Sequence, residues 1–523
     1  KQTNKQTNKQ TNKQTNKQKK KRQANAKRAR RMRTEAERTS EWIVIVERGG
    51  GGHVFVHESC RFDGIARLSQ LTGCCRGTSL CGRARGGAWR ENTYPGAECD
   101  IASALYSYSF APNPAWDFKW AKQKQILAYQ KHVAQSYGLY EHLKFGRTVV
   151  SAVFNDGVWT TNFSDGEVIR SQFLISAIGQ LHIPKTPEIS GADKFEGASF
   201  HSAEWNDTYD YAGKRIGVIG NAASAIQLIP ELADATDNLT VYHRTANWIL
   251  PKKDRPYSRF EKWLGKRIPA MGKLYRFNLF AQGEYFIWPI IQGKSFRRWI
   301  AMQWAKSGLK KHIKDPSLRA KMLPDYPMGA RRILLSDKIY PAFAKNSVEV
   351  VMEGIDGFTK TGLRTVDGTH REHDLVVYAT GFYSNPFLKQ IDVTGTGGRK
   401  LREHWGAGAS AYMGIMTDGF PNLFFLYGPN TNTGHTSIVF KLENQVNYIL
   451  QLMEKTKSEI SVLPEAEEVF SDEMQSRLQE LAWSKVDASW YKVGDKVPNN
   501  WPGSALEYKR RNKTPIWEHF KIT

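Results

Sequence analysis

Two rhythms of apolar and polar positions run along this chain. Lys122–Tyr137 repeats its apolar residues at helical spacing and predicts an amphipathic helix. Val149–Phe154 and Val158–Phe163 alternate at period two, as half-buried strands do, and Asn155-Asp-Gly157 between them is a hairpin turn. Other segments are unbroken apolar runs and read as fully buried strands: Glu41–Val46, Phe173–Gly179, Lys214–Gly220, Leu239–Arg244, Asp374–Phe382 and Phe420–Pro429. Helices are predicted from about Ala223 to Ala233, across Phe260–Leu323 and near Ser437–Glu454. Buried strands alternating with helices predict an α/β fold of two Rossmann-like domains, one inserted in the other and carrying a helical insertion at about 260–323.

The run Lys214–Gly220, the turn behind it and the helix after it form a β-turn-α-β unit. The turn reads Gly220-Asn-Ala222-Ala-Ser-Ala225. Phosphate is held at such a place by backbone N–H groups at a helix N-terminus, and small residues let the backbone come close. Ala222 stands where glycine is usual, so the match is partial. The next strand ends in Arg244-Thr245 rather than in an acid. A cation there suits the 2′-phosphate of NADP, whereas a carboxylate would suit NAD. The plain alternative for Arg244 is a surface salt bridge.

The first strand lacks this logic. Gly49-Gly-Gly-Gly52 follows it, but Val54 or Phe55 fills the third glycine position of a dinucleotide turn. From His53 to Arg85 no convincing amphipathic helix follows, and no acid ends a second strand. A compensated frameshift or misplaced splice across roughly Glu47–Arg85 accounts for the lost pattern. The alternative is a divergent, weakened site.

Composition changes the picture mainly at the front. The chain has 523 residues and a net charge of +24. Residues 1–16 are Lys-Gln-Thr-Asn four times over, with no apolar side chain to offset the entropy of ordering. Translation of an AAAC repeat gives this pattern. The first methionine is Met32, and residues before it are expected to be untranslated or misassigned sequence. Residues 1–33 hold nine Lys, five Arg and no acid, leaving +10 for the rest. The stretch 19–33 resembles a nuclear-import or RNA-binding arm; a solvated or artefactual tail is the plainer reading. After residue 40 no basic stripe with base-stacking aromatics follows, so nucleic acid is not expected as a partner.

No run is apolar enough to span a membrane, and Tyr285–Ile291 reads as a core or lid helix rather than a surface-bound one. Cys60, Cys74, Cys75, Cys81 and Cys99 fit neither a zinc pattern nor a disulfide framework, so no metal is expected and the cytoplasm is the expected compartment.

Two further clusters carry chemistry. Phe195-Glu-Gly197-Ala-Ser-Phe-His201-Ser-Ala-Glu-Trp205 reads F-x-G-x-x-x-H-x-x-x-W on the link between the two nucleotide domains. His201 and Trp205 are core residues on a bland reading and a hinge that senses both cofactors on a sharper one. Arg331-Arg332 follows the turn at Pro324–Gly329. Arginine keeps its proton and suits an oxyanion formed during catalysis. Asp100 is the candidate to hold it; the alternative is that both arginines cap a helix or pair at the surface.

Together these pieces resemble the class B flavoprotein monooxygenases, specifically type I Baeyer–Villiger monooxygenases of the hydroxyacetophenone-monooxygenase-like branch. The resemblance runs from Gly86 to near the C-terminus. Phe195–Trp205 is similar to that family's fingerprint, with Asn206 in place of its usual Pro or Asp. The resemblance implies an FAD domain over residues 41–200 (41–85 degenerate), an NADP domain over 201–370 and a second FAD segment over 371–523, behind a disordered tail at 1–40. It implies FAD contacts from Ala88, Trp89, Arg90, Glu91, Asp100, Tyr106 and Val150, and a segment Glu98-Cys99-Asp100 that also faces NADP. NADP would be held by Gly220, Asn221, Ala222, Ala223, Ser224, Ala225, Ile226, Gln227, Arg244 and Thr245, with Trp490 near the nicotinamide. Arg332 matches the catalytic arginine, and Arg331 replaces a usual lysine beside it. The implied reaction uses NADPH, FAD and O2 to insert one oxygen atom beside a ketone, giving an ester or lactone. Two alternatives stand: an N- or S-oxygenating flavin monooxygenase, and an inactive remnant that binds NADP without FAD.

Overall fold

The computed structural model describes residues 42–48, 51–57, 88–293, 296–385, 387–406, 408–486 and 489–523. The basic tail, Gly49, Gly50, Cys60, Cys74, Cys75, Cys81 and Gly86-Gly87 lie outside the described residues. Two sheets carry the architecture. Their strands are β1 (Trp42–Arg48), β2 (Gly51–His57), β3 (Leu143–Lys144), β4 (Phe173–Ser176), β5 (Ala198–His201), β6 (Ile216–Ile219), β7 (Leu239–Tyr242), β8 (Val348–Val351), β9 (Leu375–Tyr378) and β10 (Leu423–Phe425). The helices that matter here are α1 (Gln123–Ser136), α2 (Ala223–Ala235), α3 (Arg259–Arg267), α4 (Pro269–Gln282), α5 (Trp288–Gln292), α6 (Phe296–His312), α7 (Ile438–Lys455) and α8 (Ala505–Arg511).

The second sheet has the order β8-β7-β6-β9-β5 and is parallel throughout. β6, β7 and β9 are buried at every position, which is why their sequences read as unbroken apolar runs rather than alternations. α2 covers this sheet with Ala225, Ile226, Leu228, Ile229 and Leu232 in the core. Each such buried Leu or Ile contributes about 1.5–3 kcal/mol. The sequence reading sent Asp374–Phe382 back to the first domain; instead β9 pairs with β6 on one side and β5 on the other. A fully apolar strand is at home in the middle of either sheet, so pattern alone does not say which.

The first sheet has the order β10-β4-β1-β2-β3. β10 and β1 flank β4 in parallel, as a dinucleotide fold requires. β2 occupies the slot on the far side of β1, but it runs antiparallel to it, from Arg48 opposite Gly51 to Trp42 opposite His57. Only two residues connect the strands, whereas a parallel neighbour needs a crossover of a dozen or more. α1 and α7 pack on this sheet in the largest core cluster.

The predicted hairpin forms a separate four-stranded sheet in which Asn155 faces Val158. Its turn has positive φ at Asp156 (48°) and Gly157 (77°), the signature of the tight type suited to twisted strands. The predicted helical insertion is present as α3–α6 and Pro316–Lys321. Tyr285–Ile291 spans a π-helical turn (Gly283–Ile287) and α5, with Trp288, Ile290 and Ile291 buried.

Candidate active site

The turn between β6 and α2 is built for close approach. Gly220 has φ +118°, and a Cβ there would lie 2.4 Å from the Ala379 carbonyl oxygen, so only glycine fits. Its N–H donates to the Tyr242 carbonyl at 2.9 Å, fastening the turn to β7. Ala222, the N-cap of α2, supplies no side-chain acceptor, so the first N–H groups of α2, from Ala223, Ser224 and Ala225, are left without a capping side chain. Asn221 braces the rim: its Nδ2 donates to the Thr245 carbonyl at 2.7 Å and lies 2.8 Å from His243 Nδ1. Arg244 is exposed beside it and forms no ion pair among the described residues.

Gln227, one turn into α2, ties this helix to the segment before α1. Its Oε1 accepts from the Tyr94 hydroxyl (2.8 Å) and the Glu98 N–H (3.2 Å). Its Nε2 donates to the Glu98 carbonyl (3.0 Å) and to Asp100 Oδ1 (3.1 Å). Gly96 has φ +80°, and a Cβ there would sit 2.3 Å from the Gln227 carbonyl oxygen. The two backbones therefore touch.

The other oxygen of Asp100 faces Arg332, with Nη2–Oδ2 at 3.4 Å. Burial disfavours the Arg332 charge; the Asp100 carboxylate, together with Tyr491, Tyr427 and Cys99, more than offsets that and raises its affinity for the proton. Tyr491, buried against Trp490 at a ring distance of 4.2 Å, has its hydroxyl pushed up to about 12 by burial, partly relieved by Arg332. Arg331 points elsewhere: its guanidinium lies 4.7 Å over the Tyr326 ring, whose hydroxyl donates to Asn247 Oδ1 at 3.0 Å. Asn247 in turn donates to the carbonyl and Oδ1 of Asn221 (3.1 and 2.9 Å).

The F-x-G-x-x-x-H-x-x-x-W run crosses into the second sheet. A Cβ on Gly197 would strike the Phe195 ring at 2.4 Å and the Asp374 carbonyl at 2.9 Å. His201 is buried at the end of β5, in register with Tyr378, and its Nδ1 accepts from the Ala203 N–H at 3.1 Å. Burial drives its pKa down to about 4, against a backbone contact to Gly381, so it is neutral at pH 7. Trp205 packs edge-on against Phe200 (5.1 Å) and Tyr211 (5.6 Å).

The pyridine nucleotide-disulphide oxidoreductase family model matches residues 102–278. A Baeyer-Villiger monooxygenase of Streptomyces coelicolor is 37% identical over 441 residues, covering 82% of this chain and 84% of that protein. A second, from Pseudomonas aeruginosa, is 36% identical over 433 residues, covering 81% and 82%. This chain belongs to the Baeyer–Villiger monooxygenase family. Among solved structures, a steroid monooxygenase bound to NADP is similar with TM-score 0.77 at 28% identity, over 92% of this chain and 99% of that one. A cyclohexanone monooxygenase from Rhodococcus sp. Phi1 bound to NADP+ gives 0.77 at 25%, over 93% and 100%.

Within this Baeyer–Villiger framework the expected residues fall into distinct places. Asp100, Gln227 and Arg332 are joined by the contacts above, and Trp89 Nε1 donates to the Tyr106 hydroxyl at 3.0 Å. Ala88–Glu91 forms one short helix, with Glu91 Oε2 3.0 Å from His182 Nδ1. Cys99 is buried, its thiol pushed up to about 12 by burial, which makes it a packing residue. Ile226 is core, and Val150 sits 43% exposed on the hairpin sheet, outside this network. The sequence reading missed Tyr94, Lys252 and Tyr491. Lys252 is buried and bonds Glu98 Oε1 at 2.5 Å, while Lys122 pairs with the other oxygen. These partners lie far apart along the chain, so no local spacing marks them.

Proposed function

We infer that this chain is an NADPH- and FAD-dependent monooxygenase that inserts one atom of O2 beside the carbonyl carbon of a ketone, yielding an ester or lactone. The observation that carries the reading is the Arg332–Asp100 pair at 3.4 Å, reached from the nucleotide turn through Gln227. NADP fits the residues present: the crowded glycine and the uncapped start of α2 suit its pyrophosphate, and the exposed Arg244 suits its 2′-phosphate. FAD fits in part. The Trp89–Tyr106 and Arg332–Asp100 pairs offer aromatic faces and charge suited to a flavin, but β1 turns back into β2, so among the described residues no helix N-terminus follows β1 to hold a pyrophosphate.

When bound, FAD supplies the redox chemistry, accepting hydride from NADPH and activating O2. Arg332 provides a permanent positive charge where negative charge develops on oxygen. Asp100 fixes that guanidinium and is itself held by Gln227. His201, neutral, joins the end of β5 to the turn after β9. In the domain assignment we favour, the first sheet serves FAD and the second NADP, and the cytoplasm is the compartment of action.

Product analysis tests the reading. Ketone, NADPH and O2 should give ester with the wild-type protein, and Arg332→Ala should lower its rate by roughly 10²–10³. Ester formation undiminished by that change, or N-oxide formation from a tertiary amine in its place, would sink it. The β1–β2 hairpin favours one second reading, an NADP-binding remnant; a purified protein with flavin absorbance excludes it.

A further inference from the structure

We propose that α3 and α4 form a docking surface for an anionic lipid bilayer. No residue of either helix is buried. Phe260, Trp263, Leu274 and Phe277 are 66%, 53%, 61% and 64% exposed, and Ile268 and Met271 stand between them, also exposed. Large apolar side chains gathered in this way mark an interaction surface.

The helices are fastened from behind, so this exposure is built in. Arg276, on the inner side of α4, donates to the carbonyls of Ala104 and Ser107, both at 2.7 Å. Phe280, one turn on, packs on Phe440 at 4.9 Å. Met271 and Leu274 fall on the side of α4 opposite Arg276 and Phe280, because each residue turns the helix by about 100°. α3 begins with a full capping box from Ser258 and Glu261, and Lys262 pairs with Asp117.

Charge selects the occupant. Residues 259–312 contain twelve Lys and Arg against two acids. Both acids are spent internally: Glu261 pairs with Arg255 at 2.6 Å, and Glu284 is buried against His435 at 2.8 Å. Arg259, Lys266, Arg267 and Lys273 remain exposed among the apolar residues. A second copy of this chain is disfavoured, since a two-fold contact would set these cations against themselves. Nucleic acid would use Phe260, Trp263 and Phe277 but not Ile268, Met271 and Leu274. Interleaved cations, aromatics and aliphatics suit the headgroup layer of an acidic membrane. α4 has fourteen residues, about 21 Å of helix, against about 30 Å of hydrocarbon, so it lies in the surface rather than crossing.

The test is co-sedimentation of the full chain with vesicles of phosphatidylcholine alone and of phosphatidylcholine mixed with phosphatidylserine. Wild type should bind the mixed vesicles at least ten-fold more tightly than the neutral ones. Trp263→Ser/Leu274→Ser/Phe277→Ser and Lys266→Glu/Arg267→Glu should each lose at least ten-fold, with NADPH affinity unchanged as the check on folding. The basic stretch at 19–33 is present in every protein, so only the difference between them counts. Variants that bind like wild type overturn the proposal. So does a wild-type dimer, seen by light scattering, that the triple substitution dissolves while no vesicle is bound.

Discussion

In the role proposed for Arg332 its charge counts most where negative charge grows on oxygen, and among the described residues Asp100 is the carboxylate that aims its guanidinium. Removing one such preorganised donor typically costs 10²–10³ in rate. Arg332→Ala should therefore lower ester formation by roughly that factor, and Arg332→Lys should recover part of it; steady-state product analysis checks both. We propose that Arg244 holds the 2′-phosphate of the coenzyme. Arg244→Ala should raise KM for NADPH by about 10–100-fold, the loss of one charged hydrogen bond, and leave that for NADH nearly unchanged. A parallel rise for both coenzymes would remove the phosphate role. Arg244 could be picked from the sequence because it ends the strand after the nucleotide turn, and the Arg331-Arg332 pair because it follows a turn; the choice of Arg332 between them, and of Asp100 as its partner, leaned on the family resemblance. Lys252, Tyr94 and Tyr491 could not be picked, since only tertiary folding brings them to Glu98, Gln227 and Arg332.

Among the elements, the β6-turn-α2 unit leaves least room for change. Gly220→Ala would force an unfavourable backbone and a collision with the Ala379 carbonyl. It should destabilise the fold by roughly 1–3 kcal/mol and abolish NADP binding, measured by chemical denaturation and coenzyme titration. The β1–β2 hairpin is the contrasting element. Replacing residues 47–85 by the β-turn-α-β stretch of a Baeyer–Villiger relative should raise FAD affinity at least ten-fold, read from quenching of flavin fluorescence; an unchanged affinity would acquit the hairpin. β4, β6, β7, β9 and β10 were legible because burial on both faces writes an unbroken apolar run, whereas the short or partly exposed β5 and β8 carry no such run and went unpredicted. The sheet to which β9 belongs was not, because that run is the same wherever a central strand is placed. The direction of β2 was equally hidden, since pairing is decided by what links the strands.

For the molecule as a whole, acid is the sensitive direction. Burial lowers the pKa of both His201 and His373 to about 4, below the 6.5 of a free imidazole. Between those values the unfolded chain binds more protons than the folded one, so stability rises with pH across that window and levels off above it. Each histidine accounts for up to about 3 kcal/mol, fully lost below pH 4. Denaturation followed from pH 4.5 to 8 should show a falling midpoint only below about 6.5; a flat profile would contradict the burial of both rings. One contact sets how freely the protein can be engineered. The Gln227 amide holds Asp100 from the same helix whose first turn we assign to the coenzyme, so in that assignment the reductant pocket and the guanidinium's anchor share a single bolt. Redesigning that helix start to accept a cheaper hydride donor will shift the oxidation centre with it, and libraries aimed at one property must be screened for both.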